Sequence, residues 1–314
     1  MATIMLDHPG WATTDHGSAR VMRSGSSTWL LTCGPHTSGV EMSVVDGPPD
    51  GPLPNVIRVD KPIPVESELG SALAPFVPLL RVRNASLWDA IGNAILQQVI
   101  KSDRARLTYQ KFCLSCSDPT ETPSGLAYLF PDPECVLRIP ATVFAALEMS
   151  FTRTLLRRAA RAYLENEAAW SQLEPVTLVG RLQSIPGIGP WTAGASVADF
   201  SGDFSVYPYS DKTIRTLAQR AAPATTWPDN TRQFRARWQA TAGNDISGLT
   251  QLMLTWGNAE RPSGSAGTEA PTTEQLPAPV DLLAVLRDDE MHRKIPRPVS
   301  PGRGAVDSWR RVGS

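Results

Sequence analysis

The segment Leu182-Gln-Ser-Ile-Pro-Gly-Ile-Gly-Pro-Trp191 constrains this chain more than any other. An apolar helical run, Leu178–Gln183, leads into Pro186-Gly187-Ile188-Gly189, and a run of small residues from Ala193 to Ser196 leads out. Glycine tolerates positive φ and lets the backbone approach an outside partner without a Cβ in the way. Gly187 and Gly189 therefore predict a tight turn with φ above zero joining two helices. Amides bared there stand at the head of the second helix, whose dipole favours an anion. Pro186, Gly187, Ile188, Gly189 and Thr192 form a candidate phosphate cradle that needs no basic side chain. A nucleotide-binding turn uses similar glycines, but it follows a strand and carries a third glycine three residues on. Here position 192 is Thr and the preceding run is helical.

A cradle of that kind suits the overall charge. The 314 residues sum to a net charge of −1, so a positive field for a nucleic acid must be local. With 41% apolar and 19% charged residues the composition is that of a soluble protein with a core. Its length predicts two domains, or two and a tail. No apolar run approaches the roughly 20 residues that span a bilayer. Met1 to Gly17 lacks the basic start and apolar centre of a signal peptide, so a cytoplasmic protein without a membrane partner is expected. Cys113 and Cys116 have metal-ligand spacing, but only Cys135 lies near enough to join them, and about four ligands are needed. Core thiols are the expectation for these and for Cys33.

Along the chain, residues 1–17 read as a flexible N-terminus and residues 18–65 as a small β-rich domain. Its strands are Ala19–Arg23, Ser27–Cys33, Val40–Val45 and Asn55–Val59, punctuated by Gly25 and Gly34-Pro35. Residues 66–260 read as a helical domain. Ser86-Leu-Trp-Asp89 resembles a capping box, and Leu87, Ile91, Ala94, Ile95 and Gln98 follow at helical spacing. Ser102 can cap a second helix through Phe112. Further helices are expected at 132–137, 141–147, 152–164, 178–183, 191–198, 212–220, 230–242 and 247–256, which together predict an all-α bundle. Residues 261–314 read as a disordered tail, rich in Pro, Ser, Gly and Thr up to Pro279. Its last residues, 292–314, hold six Lys and Arg against one Asp, which suits a solvated tail or a basic contact.

Asp211 follows the Pro-containing loop Val206-Tyr-Pro-Tyr-Ser, some twenty residues after the hairpin, and heads the next helix. On its own such an aspartate reads as an N-cap. Taken with Leu-x-x-Ile-Pro-Gly-Ile-Gly upstream, it resembles the helix-hairpin-helix DNA glycosylases, whose catalytic aspartate maps onto Asp211. Three features resemble the bacterial 3-methyladenine glycosylase II (AlkA-like) branch: Ala94-Ile-Leu-Gln-Gln98, Leu252-Met-Leu-Thr-Trp256 and the β-rich N-terminal unit. The resemblance implies a glycosylase α-bundle that flips out and excises damaged, alkylated purines from double-stranded DNA as a monomer. It also implies that Trp256 lines the base pocket together with Trp191.

The departures from the pattern narrow the chemistry. Bifunctional relatives carry a Schiff-base lysine two residues after the second hairpin glycine, and here that residue is Trp191. A monofunctional enzyme that leaves an abasic site is therefore expected. Lys212 adjoins Asp211 outside the motif position, and Val99 follows Gln98 where the branch pattern has a Gln pair. Ala195 and Lys212 replace aromatics frequent in the branch, which leaves oxidised or deaminated bases as a second substrate class. A non-catalytic hairpin DNA-binding protein is the third reading. No cofactor is required, but the resemblance implies a monovalent cation, Na+ or K+, on the carbonyls of Gln183, Ile185 and Gly187. A wedge filling the vacated base stack is expected from Arg81, Val82, Arg83 or Asn84, ahead of the first large helix.

Overall fold

The computed structural model describes residues 2–34, 39–60, 67–98, 102–209 and 212–260. Asp211 and the tail at 261–314 lie outside the described residues. The described residues open with six strands: β1 (Thr3–Ile4), β2 (Ala12–Thr14), β3 (Gly17–Ser24), β4 (Ser27–Cys33), β5 (Glu41–Asp46) and β6 (Val56–Val59). Strands β2 to β5 make an antiparallel meander whose alternation turns Met22, Leu31 and Cys33 inward onto Trp11 and Val82. After helix α1 (Glu68–Leu73) the chain forms β7 (Leu79–Val82), the centre of a second sheet in the order β1-β7-β6. Strand β1 runs parallel to β7 and β6 antiparallel to it.

Two boundaries expected from sequence change here. Residues 1–17 are not a loose end, because Met5, His8 and Trp11 are buried and β1 pairs with β7. Arg106 pins this stretch further by donating to the carbonyls of Leu6, Asp7, His8 and Trp11. Nor does the β unit stop at residue 65, since Leu79-Leu-Arg-Val82, with all four side chains buried, is a strand inside the stretch read as helical.

Ten further helices follow among the described residues: α2 (Leu87–Gln97), α3 (Ser102–Cys116), α4 (Pro133–Arg138), α5 (Ala141–Ala146), α6 (Ser150–Trp170), α7 (Pro175–Gln183), α8 (Pro190–Ser201), α9 (Lys212–Ala221), α10 (Thr231–Ala242) and α11 (Ile246–Ala259). A hairpin of β8 (Pro119–Thr122) and β9 (Gly125–Tyr128), absent from the sequence reading, separates α3 from α4. Apolar faces meet in two cores. One gathers α2 to α8, the other α1 and α9 to α11. Helix α8 belongs to both, with Ala193 and Val197 in the first and Ala198 in the second. The architecture is an α-bundle carrying a small β-rich N-terminal unit.

Where the β unit meets the bundle, charge is buried rather than excluded. Ser86 caps α2 by accepting from the Asp89 amide at 3.1 Å, as the capping pattern predicts. The reciprocal bond comes from elsewhere, because the Ser86 amide donates to Asn84 Oδ1 at 3.1 Å. The Asp89 carboxylate is thereby free to accept from Arg20, Asn84 and Tyr109, at 3.2, 3.1 and 2.8 Å. Asp199, near the end of α8, accepts from Arg81 at 2.5 Å and from Asn84 at 2.9 Å. His8 lies 3.4 Å from Asp89 and 3.9 Å from Asp199. Burial alone would raise both carboxyl pKa values. The facing groups outweigh it: His8 and Arg20 hold Asp89 below the usual carboxylate range, and Arg81, His8 and Arg20 do the same for Asp199.

Candidate nucleic-acid interface

The hairpin is built from the α7–α8 junction. Pro175 starts α7 with the φ a first turn needs, and Leu178 and Leu182 bury its inner face. Past Ser184 the chain turns through two hydrogen bonds, Ile185 amide to Leu182 carbonyl at 3.1 Å and Ile188 amide to Ile185 carbonyl at 3.0 Å. Ile185 and Ile188, 5% and 4% exposed, root the turn in the first core, while Pro186, Gly187 and Gly189 stay exposed. Two apolar anchors below and three small residues above give the turn a bare crest.

The two glycines do different work. Gly187 has φ of +100°, and a Cβ there would meet Leu155 Cδ1 at 2.9 Å. Gly189 is extended, with φ −84° and ψ 177°, and a Cβ on it would meet nothing within 4 Å. The expectation of positive φ at both is corrected at Gly189, which is the N-cap of α8 and needs no left-handed backbone. That N-cap has no side chain to bond the first-turn amides, and Pro190 occupies the first helical position. Among the described residues, the amides of Trp191 and Thr192 have no hydrogen-bond acceptor. Donors left uncapped on an exposed helix head are a ready anion contact.

Side chains from two other helices hold this crest. Gln98, at the end of α2, donates to the Gly187 carbonyl at 3.2 Å and to Thr192 Oγ1 at 2.5 Å. Arg158 of α6 donates to the Pro186 carbonyl. Thr192, 2% exposed, accepts from Gln98 through its hydroxyl oxygen and keeps the hydroxyl hydrogen as a donor. The role of Gln98 was legible in the sequence as a residue at helical spacing, but its partner was not.

The remaining predicted residues separate. Trp191 is half-buried at the head of α8. Trp256 is 8% exposed within the core of α9 and α11, and the Arg220 guanidinium lies 5.5 Å from its ring centre. No ring contact joins the two tryptophans among the described residues. Of the wedge candidates, Arg81, Val82 and Asn84 are buried, at 2%, 4% and 0% exposure, so they cannot enter a base stack. Arg81 bonds Asp7 and Asp199, Val82 is a strand residue and Asn84 ties Asp89 to Asp199. Only Arg83 keeps some exposure, with its guanidinium 5.5 Å from the Phe200 ring centre. The strand β7 was the missing information. Cys113 and Cys116 are buried and Cys135 half-buried, and no His, Cys, Asp or Glu group suited to a metal occurs among the described residues.

No protein-family model matches the chain. No curated protein matches it either. Solved structures do. The 3-methyladenine DNA glycosylase from Archaeoglobus fulgidus superposes with a TM-score of 0.61 at 16% identity, over 81% of this chain and 91% of that one. The apo 8-oxoguanine glycosylase/lyase of Clostridium acetobutylicum gives 0.60 at 12% identity, over 80% and 90%. The same Clostridium enzyme with double-stranded DNA containing cytosine opposite 8-oxoguanine gives 0.59 at 11%, over 81% and 89%. These superpositions identify the fold of this chain as the one these DNA glycosylases share.

Proposed function

We propose that this protein is a monofunctional DNA glycosylase that flips damaged, alkylated purines out of double-stranded DNA and hydrolyses their N-glycosidic bond. The observation that carries the reading is the bare crest at Gly187 and Gly189 above the uncapped head of α8. Such a crest binds a phosphate through main-chain amides, which fixes the register on the duplex and reads no base. It suits a chain whose net charge is only −1.

Extruding a nucleotide costs a few kcal/mol, less at a damaged pair. As the C1′–N bond breaks, its electron pair leaves with the base and positive charge grows on the sugar. Asp211 supplies the carboxylate that stabilises this charge and takes the proton of the water that adds to C1′. Asp211 immediately precedes α9 in sequence. Helix α9 packs on α11 in the core containing Ile214, Leu217 and Trp256, so Trp256 serves by seating α9. Trp191 is the wall of the base pocket, where a ring face favours a cationic purine. An alkylated purine already carries that charge and departs as a neutral base.

With Trp191 in the lysine position no imine forms, and the product is an intact abasic strand. The carbonyls of Gln183, Ile185 and Gly187 are hard oxygen donors suited to Na+ or K+. Those of Ile185 and Gly187 each accept one hydrogen bond and keep a second lone pair. A monovalent cation there would add positive charge beside the phosphate.

A panel of duplexes with single lesions tests the reading. Wild-type protein releases alkylated purines without nicking the strand, and Asp211→Asn loses that activity by orders of magnitude while still binding DNA. Release by the Asn variant at the wild-type rate would remove Asp211 from the mechanism, and borohydride trapping of a protein–DNA adduct would remove the monofunctional assignment. Oxidised bases are the second reading. It is favoured by the near-equal likeness of this fold to the 8-oxoguanine glycosylase/lyase, at TM-scores of 0.60 against 0.61. The same panel decides between the two.

A further inference from the structure

Helix α6 carries four arginines close together, at 153, 157, 158 and 161. None of the four takes part in an ion pair among the described residues. Two are already employed on the protein itself, in different ways. Arg157 donates to the carbonyls of Val136 and Leu137 from a half-buried position. Burial, and then the charges of Arg153 and Arg161, lower its pKa, as expected where like charges gather without a counter-ion. Arg158 is exposed, and its bond to the Pro186 carbonyl sets its guanidinium beside the hairpin crest. A Cβ built on Gly187 would lie 3.8 Å from Arg158 Nη1 and 2.9 Å from Leu155 Cδ1, one turn earlier on the same helix. The crest is therefore flanked by a fixed positive charge from a separate element.

We propose that Arg158 is a DNA-phosphate ligand, taking the phosphate next to the one held by the amides of the hairpin. The assignment rests on the DNA-binding reading above and adds a charged contact to it. A guanidinium has five donors in a planar fork, and one bond to Pro186 leaves the others for an anion. That bond also fixes the side chain before DNA arrives, so little rotamer freedom is lost on binding. A polyanion with regularly spaced charges is the partner that meets a helix head and an adjacent unpaired arginine together. The amides position the backbone without a net charge. Arg158 makes part of the affinity depend on salt.

Arg158→Gln removes the charge but keeps an amide donor for the Pro186 carbonyl, and Arg158→Lys keeps the charge but loses the fork. Affinity for an undamaged duplex and for an abasic-analogue duplex is measured between 50 and 200 mM salt, together with the melting temperature. Arg158→Gln should weaken both duplexes by the same factor, on the order of tenfold, and reduce the slope of log K against log salt by about 1. Arg158→Lys should restore the slope while binding more weakly than wild type. The melting temperature should not move. A fall in affinity with an unchanged slope would mean that Arg158 only braces the hairpin, and unchanged affinity would also overturn the proposal. If the wild-type protein binds neither duplex, the glycosylase reading fails as well. Wild-type binding with an unchanged slope in Arg158→Gln fails Arg158 alone.

Discussion

The two ends of α8 handle charge in opposite ways. At its head, Gly189 is exposed and offers the first-turn amides no side-chain cap. At its tail, Asp199 is buried and bonded by Arg81 and Asn84. A buried ion pair stabilises little over an apolar core of the same shape, but removing one partner is costly because the other charge is stranded. An exposed helix head costs little to leave bare, since water satisfies it until an anion arrives. One end thus holds the β unit on the bundle, and the other is the contact proposed above for DNA. Substitutions at the two ends should move different observables.

The largest expected effect is on stability at the tail. Asp199→Ala leaves Arg81 with Asp7 alone and Asn84 with one acceptor fewer, and should cost about 3 kcal/mol in denaturant unfolding. A loss below ~1 kcal/mol would show that the network is incidental. The acid limb of the stability curve sharpens the point. Asp89 and Asp199 both have folded-state pKa values held below the unfolded carboxylate value of about 4. Their contribution is fully present above that pH and is lost as the pH falls through the lowered folded-state values. Asp199→Ala should flatten this acid limb, and an unchanged limb would contradict the assignment.

At the head, Gly187→Ala comes next. It places a side chain at φ +100° against Leu155 and should cost about 1–3 kcal/mol of stability. The smallest stability effect belongs to Gly189→Ala, within about 0.5 kcal/mol, because the site is open and the backbone ordinary. Its affinity for DNA should nevertheless fall by the same factor for damaged and undamaged duplexes, with little change in the salt slope, since no charge is removed. Unchanged affinity in folded Gly189→Ala would end the distinction between the two ends.

Local signals in the sequence were enough for the hairpin, most helices and the three long strands of the meander, because each depends on near neighbours. Ser86 caps α2 as the capping pattern predicts, and α10 begins within one residue of the expected start, with Asn230 as its N-cap. What escaped depends on distant partners. Leu79–Val82 is a strand only because β1 and β6 flank it, and residues 3–14 are ordered only because Arg106 and β7 hold them. Two of the four wedge candidates drop out for the same reason. Arg81 and Asn84 look like exposed polar residues until Asp199, more than 110 positions away, is brought beside them. Gln98 showed its helical phase but not its hold on Gly187 and Thr192.

Nine of the eleven residues of α2 are buried, and its last turn delivers Gln98 to the hairpin. Amides in such a helix exchange with solvent deuterium only when the whole domain opens, whereas those on an exposed crest exchange through small local fluctuations. The side chain that steadies the crest is thus fastened to a helix whose burial predicts slow exchange. Local breathing at Gly187 and Gly189 can proceed in the free protein while the foundation beneath them stays in place. A duplex meeting the crest should slow exchange at the amides of Gly187, Gly189, Trp191 and Thr192 and leave those of α2 as they were.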